Sequence, residues 1–363
     1  MSIKTYGSLF AGVGGIDLGL DQSGLDCLFQ VEIDEHCQQT LSYHWPNVPK
    51  FRDIKDVSGY DLPFVDVITF GSPCQDLSVA GKRAGFDGER SGLFFEAIRI
   101  IKEMREKSNG QYPKWSIWEN VTGALSSNGG ADFGQALREM DEAGACFSEW
   151  AVLDAQYFGV AQRRRRVYLL SVFDTAIASR CPDKVLPVNE GSSGDFKKSL
   201  KQQGQEAARE VANCLRSGGE GGVPSSQGEN LVVEIVGSLQ ASDYKGVVNQ
   251  YVSENKLVIE SKAIILDATR VNNVRTYEND IAPCLTRRIG TGGNTVPMVF
   301  PQPTTNIRRL TPLECERLMG WPDDHTLNRA DGKINSDSAR YKMCGNGVAS
   351  PVIKWVIDQI KEI

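Results

Sequence analysis

The sequence predicts an α/β protein built on a largely parallel sheet, and three observations predict it. Apolar strand-like runs alternate with segments of helical periodicity through the first half of the chain. Several of these runs end in glycine or in a carboxylate, and ligands of such sheets lie beyond the carboxyl ends of the strands. The 363 residues, 40% hydrophobic and 24% charged, are ordinary for a globular chain of one large or two moderate domains.

The elements follow in order. KTYGSLFAG reads as a strand ending in glycines, and GVGGIDLGL as a loop that opens a helix. DCLFQVEID is a second strand and FVDVITFGSP a third. FFEAIRIIKEM places Phe94, Ala97, Ile98 and Ile101 on one helical face. YPKWSIWENV is a strand, FGQALREMDEAG a helix with Phe133, Ala136, Leu137 and Met140 together, and RRVYLLSVF closes the series. Helices between strands imply a parallel sheet covered on both faces. Phe10–Gly15, Glu32, Ser72–Gln75 and Glu119–Val121 then converge on one crevice.

From about Asp183 to Thr305 the chain is rich in Gly, Ser, Asn and Gln, with short β-branched runs. VANCLRSGGEGG, VGSLQASDYKG and IAPCLTRRIGTGG repeat a loose pattern of aliphatic, small, Leu, polar and Gly residues, read as short strands with flexible tips; chance similarity is the alternative. Regularity returns at RRLTPLECERLMGWPDD. Thr311 can cap the helix, Pro312 fits its first position, Glu314 completes a capping box, and Gly320 can end it. VIKWVIDQIKEI aligns Ile353, Val356, Ile357 and Ile360, a stripe expected to pack on the first domain's sheet. The expected domains are therefore 1–182, 183–305, and a return segment, 306–363, that completes the first.

Composition narrows the function classes. No run of about 18 apolar residues suggests a membrane span, and the N-terminus lacks the features of a signal peptide. Nine cysteines, none in a C-x-x-C pair, argue against a structural zinc site or a disulfide framework and for a reducing cytosol. The formal charge of -6 argues against a general polyanion binder unless basic residues cluster.

Four motifs carry the chemistry. SLFAGVGGIDLGL is a glycine turn at a helix N-terminus, suited to close approach by a ligand, with a plain structural turn as the alternative. About 20 residues on, VEID places Glu32 where ribose hydroxyls can donate to it. GSPCQ puts Cys74 after a proline that fixes the backbone, ahead of the glycine-rich AGKRAGFDGERSG; a small buried hydrophobe is the alternative. No histidine neighbours it in sequence, so a Cys–His hydrolase is poorly supported. WENV ends a strand with an acid beside an amide. AQRRRRVYLL, if extended, points Gln162, Arg164 and Arg166 to one side and Arg163 and Arg165 to the other.

The set FAGVGG, VEID, FRDI, GSPCQ, ENV, QRRRR, RRLTPLECERLMGWPD and GNGVASPV resembles the signature of the DNA cytosine-5 methyltransferases over roughly residues 5–175 and 305–363. The resemblance implies a Rossmann-like sheet dependent on S-adenosylmethionine, with a smaller, mostly β target-recognition domain. It implies methyl transfer to carbon 5 of cytosine in a specific double-stranded DNA sequence, through a covalent Cys74–cytosine intermediate and with the base flipped out. Cys74 is then the nucleophile and Glu119 the acid that bonds ring nitrogen 3. Arg164 contacts the base carbonyl and orients the acid, Arg166 supports it, and Gln75 and Asn120 flank these groups.

The same resemblance assigns the cofactor crevice. Phe10, Ala11, Gly12, Gly14, Gly15 and Ile16 surround the methionine end. Glu32 accepts from the ribose, with Ile33 beside it. Asp53 contacts the adenine, with Ile54 beside it, Gly71, Pro73 and Leu93 are further cofactor-binding residues, and Asn346 and Val348 close the site. The product is S-adenosylhomocysteine, and no metal is expected. DNA contacts are expected from Lys82, Arg83, Arg163 and Arg165, and from Cys284, Leu285, Thr286, Arg287 and Arg288. Cys284–Leu285 stands where the family usually has threonine–leucine, and Gly347 where serine is common.

Double-stranded DNA is the expected partner, with a cognate restriction endonuclease as a candidate companion and no membrane. A monomeric cytoplasmic enzyme of a bacterial nucleoid or phage-infected cell is expected. Two other readings stay open. RNA could be the substrate, although the Pro–Cys–Gln core and the long variable region favour DNA. A non-catalytic DNA-binding protein could use the same fold, although every expected catalytic residue is present.

Overall fold

The computed structural model describes residues 3–73, 92–186 and 310–363, together with the backbone of short strands at 265–270, 273–276, 282–283, 298–299 and 308–309. The expectations for Cys74, Gln75, Lys82, Arg83, Cys284, Leu285, Thr286, Arg287 and Arg288 lie outside the described residues.

Among the described residues before 187 the strands are β1 (Thr5–Leu9), β2 (Asp26–Val31), β3 (Lys50–Phe51), β4 (Val67–Phe70), β5 (Trp115–Val121), β6 (Phe147–Asp154), β7 (Gln162–Arg163) and β8 (Arg165–Val172). Seven of them form one sheet in the order β3-β2-β1-β4-β5-β8-β6. Pairings from β3 through β5 are parallel. β8 is antiparallel to both β5 and β6, which corrects the expectation that the last strand continues a parallel series. A parallel return needs a crossover of a dozen or more residues, and the link from Asp154 to Arg165 is too short for one.

Among the described residues, four helices cover the two faces of this sheet. Against one face lie α3 (Gly92–Lys107) and α4 (Ala131–Glu142), through Phe94, Ala97, Ile98, Ile101, Phe133, Ala136 and Met140, with Leu137 partly buried beside them. α1 (Gly15–Gln22) and α8 (Ser350–Lys361) cover the other, through Ile16, Leu20, Ile353, Val356, Ile357 and Ile360. Strand alternation feeds both cores: Trp115 and Ile117 point one way and Trp118 the other. A Cβ on Gly19 would stand 2.6 Å from the Ser350 carbonyl, so the α1–α8 approach requires glycine there.

The remaining helices are α2 (Glu35–His44), the single turn α5 (Thr175–Ala178), α6 (Pro312–Leu318) and α7 (Asp337–Asn346). The capping box at Thr311 and Glu314 forms as expected, and Gly320 adopts φ +71 beyond the helix end. Val185 and Leu186 still belong to the first core and donate their amides to Glu149, just past the expected boundary at residue 182.

The later strands are β9 (Ile265–Arg270), β10 (Asn273–Thr276), β11 (Ala282–Pro283), β12 (Met298–Val299) and β13 (Arg308–Arg309). Four of them make a second sheet, β10-β9-β12-β13, which carries the expected β character of the middle region. β11 pairs instead with β7, placing Ala282 opposite Gln162 and Pro283 opposite Arg163.

Candidate active site

At the carboxyl ends of β1 and β2 the chain makes a tight turn. Phe10, Gly12 and Gly14 all have positive φ, at 55°, 58° and 83°. Gly14 is the N-cap of α1, and its amide closes the turn on the Ala11 carbonyl at 2.9 Å. A Cβ on Gly14 would lie 2.4 Å from the Trp45 ring, whereas one on Gly12 would meet nothing within 4 Å. The space beside Gly12 is thus open to a ligand, and the backbone there can be approached closely.

Glu32 follows β2 and binds this turn. Its Oε2 accepts from the Gly12 amide and its Oε1 from the Asp34 amide, both at 2.8 Å. These bonds fix the carboxylate while leaving lone pairs for further donors. Burial raises its pKa, and the two amides oppose the rise. Ile33, beside it, is 59% exposed, an apolar surface at the rim. Asp53 caps the short turn Ile54–Asp56 through its Oδ1, and Ile54 is buried in the core.

The other half of the crevice lies at the ends of β4, β5 and β8. Ser72 is held from β5: Trp118 Nε1 donates to its hydroxyl at 3.0 Å and Asn120 Nδ2 to its carbonyl at 3.4 Å. The backbone entering Pro73 is thereby fixed one residue before Cys74. Glu119 is buried, and Arg166 Nε stands 3.1 Å from its Oε1. Burial pushes the Glu119 carboxyl above its ordinary range, while Arg166 and Arg164 pull it back. A Cβ on Gly71 would lie 3.3 Å from Glu119 Oε2, so the acid faces the strand end that leads to Cys74.

Arg164 is only 3% exposed. Its amide donates to Asp154 Oδ1 at 2.9 Å, and its Nη2 donates to the Gly347 carbonyl. Gln162 and Arg164 are buried and Arg166, half-buried, turns to Glu119, while Arg163 is half-buried and Arg165 exposed, the side-to-side order that alternation predicts. Gly347 ends α7, between exposed Asn346 and buried Val348. A Cβ at Gly347 would meet the Trp321 ring at 2.4 Å. That contact explains glycine here in place of the more usual serine. Trp321 Nε1 also donates to the Val348 carbonyl at 3.0 Å, and Trp321 packs over Gly15.

Sequence reasoning missed Trp321, Asp154 and His325, whose ring nitrogen donates to the Val13 carbonyl. Only the Trp-Pro-Asp-Asp-His spacing after α6 could have flagged two of them. Leu93, Gly71 and Pro73 lie at the ends of α3 and β4 that border this crevice, and Leu93 packs against the core. Among the described residues no group of three His, Cys, Asp or Glu side chains is placed to hold a metal ion, and no helix is long and apolar enough to cross a membrane.

The likeness to known proteins agrees with this architecture. The chain is 28% identical over 356 residues to the type II methyltransferase M.Bsp6I of Bacillus sp. (strain RFL6), covering 97% of each. It is 27% identical over 464 residues to a protein of Escherichia phage P1 named DNA N-6-adenine-methyltransferase, covering 98% of this chain and 61% of that one. Among solved structures it is similar in fold to the S. pombe Dnmt2 methyltransferase, with a TM-score of 0.59 and 15% identity, covering 99% of this chain and 98% of the other. The family model for C-5 cytosine-specific DNA methylases matches residues 5–362. With the sheet order and the glycine turn already in place, that match settles the assignment: the chain belongs to the C-5 cytosine-specific DNA methylases and is a DNA cytosine-5 methyltransferase.

Proposed function

We propose that the protein methylates carbon 5 of a flipped cytosine in a specific double-stranded DNA sequence, with Cys74 as covalent nucleophile and S-adenosylmethionine as donor. The observation that carries this reading is the buried Glu119, paired with the half-buried Arg166 and with buried Arg164 beside it, facing the strand end that runs through Ser72 and Pro73 into Cys74.

In this mechanism the Cys74 thiolate adds to carbon 6 of the ring. Glu119, its carboxyl raised by burial, offers a proton to ring nitrogen 3 and so accepts the charge that addition pushes into the ring. Arg164 binds the base carbonyl from a fixed position, because both its backbone amide and its guanidinium are tied down. Arg166 holds Glu119. Carbon 5, now enamine-like, attacks the methyl group, and the donor sulfur keeps the C–S pair and leaves as S-adenosylhomocysteine. Carbon 5 then gives its proton to water, the C–H pair re-forms the 5,6 double bond and expels Cys74 as a thiolate, and the proton on nitrogen 3 returns to Glu119. The donor supplies an electrophilic methyl group. Glu32 receives its ribose hydroxyls, the Phe10–Ile16 turn its methionine end, Ile33, Asp53 and Ile54 its adenine, and Asn346 and Val348 close over it. Open space at Gly12 and the exposed apolar Ile33 fit such a ligand.

The segment that follows Leu186, to about residue 305, is assigned to target recognition. The β7–β11 pairing supports this, since it seats the segment entering Cys284–Leu285 beside Gln162 and Arg163. The test incubates the protein with duplex DNA and S-adenosylmethionine labelled in the methyl group, followed by nucleoside analysis. The label is expected in 5-methylcytosine. Label in N6-methyladenine, the product that the phage relative's name implies, or transfer only to RNA, would overturn the proposal.

A further inference from the structure

His325 is 1% exposed and lies behind the donor turn rather than in the crevice. It follows Asp324, which adopts φ 59, at the end of the turn that leaves α6. Its Nε2 stands 2.7 Å from the Val13 carbonyl. A carbonyl can only accept, so Nε2 carries the hydrogen and Nδ1 is left as an acceptor. Nδ1 is buried and has no hydrogen-bond partner among the described residues. A phenylalanine would fill the same space without that unpaired acceptor. What the imidazole adds is the bond to Val13.

The surroundings make this bond rigid. His44 stacks on His325 with ring centroids 4.2 Å apart, and His44 Nε2 lies 2.7 Å from the His325 carbonyl. Trp321 and Trp45 approach the ring at 5.5 and 6.2 Å. Trp45 in turn covers Gly14. The Val13–Gly14 peptide is therefore held from both ends, its carbonyl by His325 and its N–H by the Ala11 carbonyl. This peptide lies between Gly12 and Gly14, two of the three residues of the turn with positive φ.

We propose that His325 is a positioning residue for methyl-donor binding, fixing the 11–15 turn through the Val13 carbonyl. The inference rests on reading the Phe10–Glu32 crevice as the donor site.

The test uses the full chain as wild type, His325→Gln and His325→Phe. Donor affinity is measured by calorimetry with S-adenosylmethionine and S-adenosylhomocysteine, and steady-state kinetics are run on a methylatable duplex. Losing one buried hydrogen bond should raise the donor Kd and KM of His325→Phe by about tenfold. Its kcat and duplex affinity should stay near wild type. His325→Gln, whose amide N–H can reach Val13, should recover most of the affinity. If His325→Phe does not melt cooperatively, His325→Met takes its place as the variant without a donor. Equal donor affinity in wild type and the donor-less variant would overturn the inference alone, as would equal losses in the glutamine and donor-less variants. A wild-type protein that binds neither ligand would overturn the crevice reading and this inference with it.

Discussion

Across the carboxyl edge of the sheet, the Phe10–Glu32 side presents main-chain amides around a single carboxylate, whereas the Ser72–Arg166 side presents an acid on β5 and two guanidiniums where the chain enters β8. The first side gets its shape from backbone conformation, with glycine where φ is positive or a ring sits close. Glu32 already accepts from the Gly12 and Asp34 amides and keeps lone pairs for a further donor. The second gets its chemistry from charge held out of water, where the burial of Glu119 and its arginines pull in opposite directions. Binding should therefore fail when the first side is damaged, and turnover when the second is.

The largest effect is expected on the charged side. Glu119→Gln keeps the size but cannot supply the proton, so kcat should fall by about 10²–10⁴-fold. Donor affinity measured by calorimetry should be unchanged. A variant that loses donor affinity instead would erase the division between the sides.

Glu32→Ala should do the reverse. Removing it leaves the Gly12 and Asp34 amides without their acceptor and should weaken donor binding by about 1–3 kcal/mol. Duplex affinity in gel-shift titrations should not move.

Two glycine substitutions separate conformation from contact. Gly14→Ala meets both a positive φ and the Trp45 ring, and should cost about 1–3 kcal/mol in urea unfolding. Gly12→Ala meets only the positive φ, with open space around it, and should cost about 1–2 kcal/mol. If Gly12→Ala proves the more damaging to stability, the packing account of the turn is wrong.

The smallest effect is in pH. Burial holds the His325 pKa down to about 3, from 6.5. Unfolding therefore takes up a proton at this site between those values, and its stability contribution, full above pH 6.5, is lost as pH falls towards 3. Asp17 is shifted the other way, up to about 6 by burial. Its folded form holds the proton more tightly, so its contribution is full below the ordinary carboxylate pKa and lost as pH rises through 6. The two opposing slopes should leave the wild-type curve shallow in mildly acidic solution. The stability advantage of wild type over His325→Phe should shrink as pH falls from 7 to 5. An advantage that grows on acidification would contradict the burial argument.

What could be read from the sequence was what a strong local pattern announces. The stripes on α3, α4 and α8 and the capping box at Thr311 each have a period or spacing that physics ties to one structure. The shared side of Gln162, Arg164 and Arg166 followed from alternation alone. α2 escaped because it buries only Thr40 and Leu41, so no stripe marks it and only Asp34, as its cap, gives it away. α7 is similarly polar, and its buried Arg340 is held by Glu316 on α6, a pairing that no local pattern encodes. β6 is an edge strand with Trp150 exposed, and its hairpin partner β8 reverses a sheet that otherwise reads as parallel. In the site, the residue types were legible but their supports were not. Asp154 meets Arg164 across a ten-residue loop, Trp321 covers Gly347 from the preceding turn, and Arg164 reaches Gly347 across 183 residues, contacts that no local period encodes.

In the proposed mechanism Cys74 attacks carbon 6 of a flipped cytosine, and that bond can be trapped. Replacing the carbon 5 hydrogen by fluorine removes the proton whose loss would release the enzyme. Duplex carrying 5-fluorocytosine at the target site should give, with S-adenosylmethionine, a DNA–protein adduct that survives denaturing electrophoresis and maps by peptide mass spectrometry to Cys74. Cys74→Ala should bind the same duplex and form none. An adduct at another cysteine, or methylation by Cys74→Ala at the wild-type rate, would contradict the account.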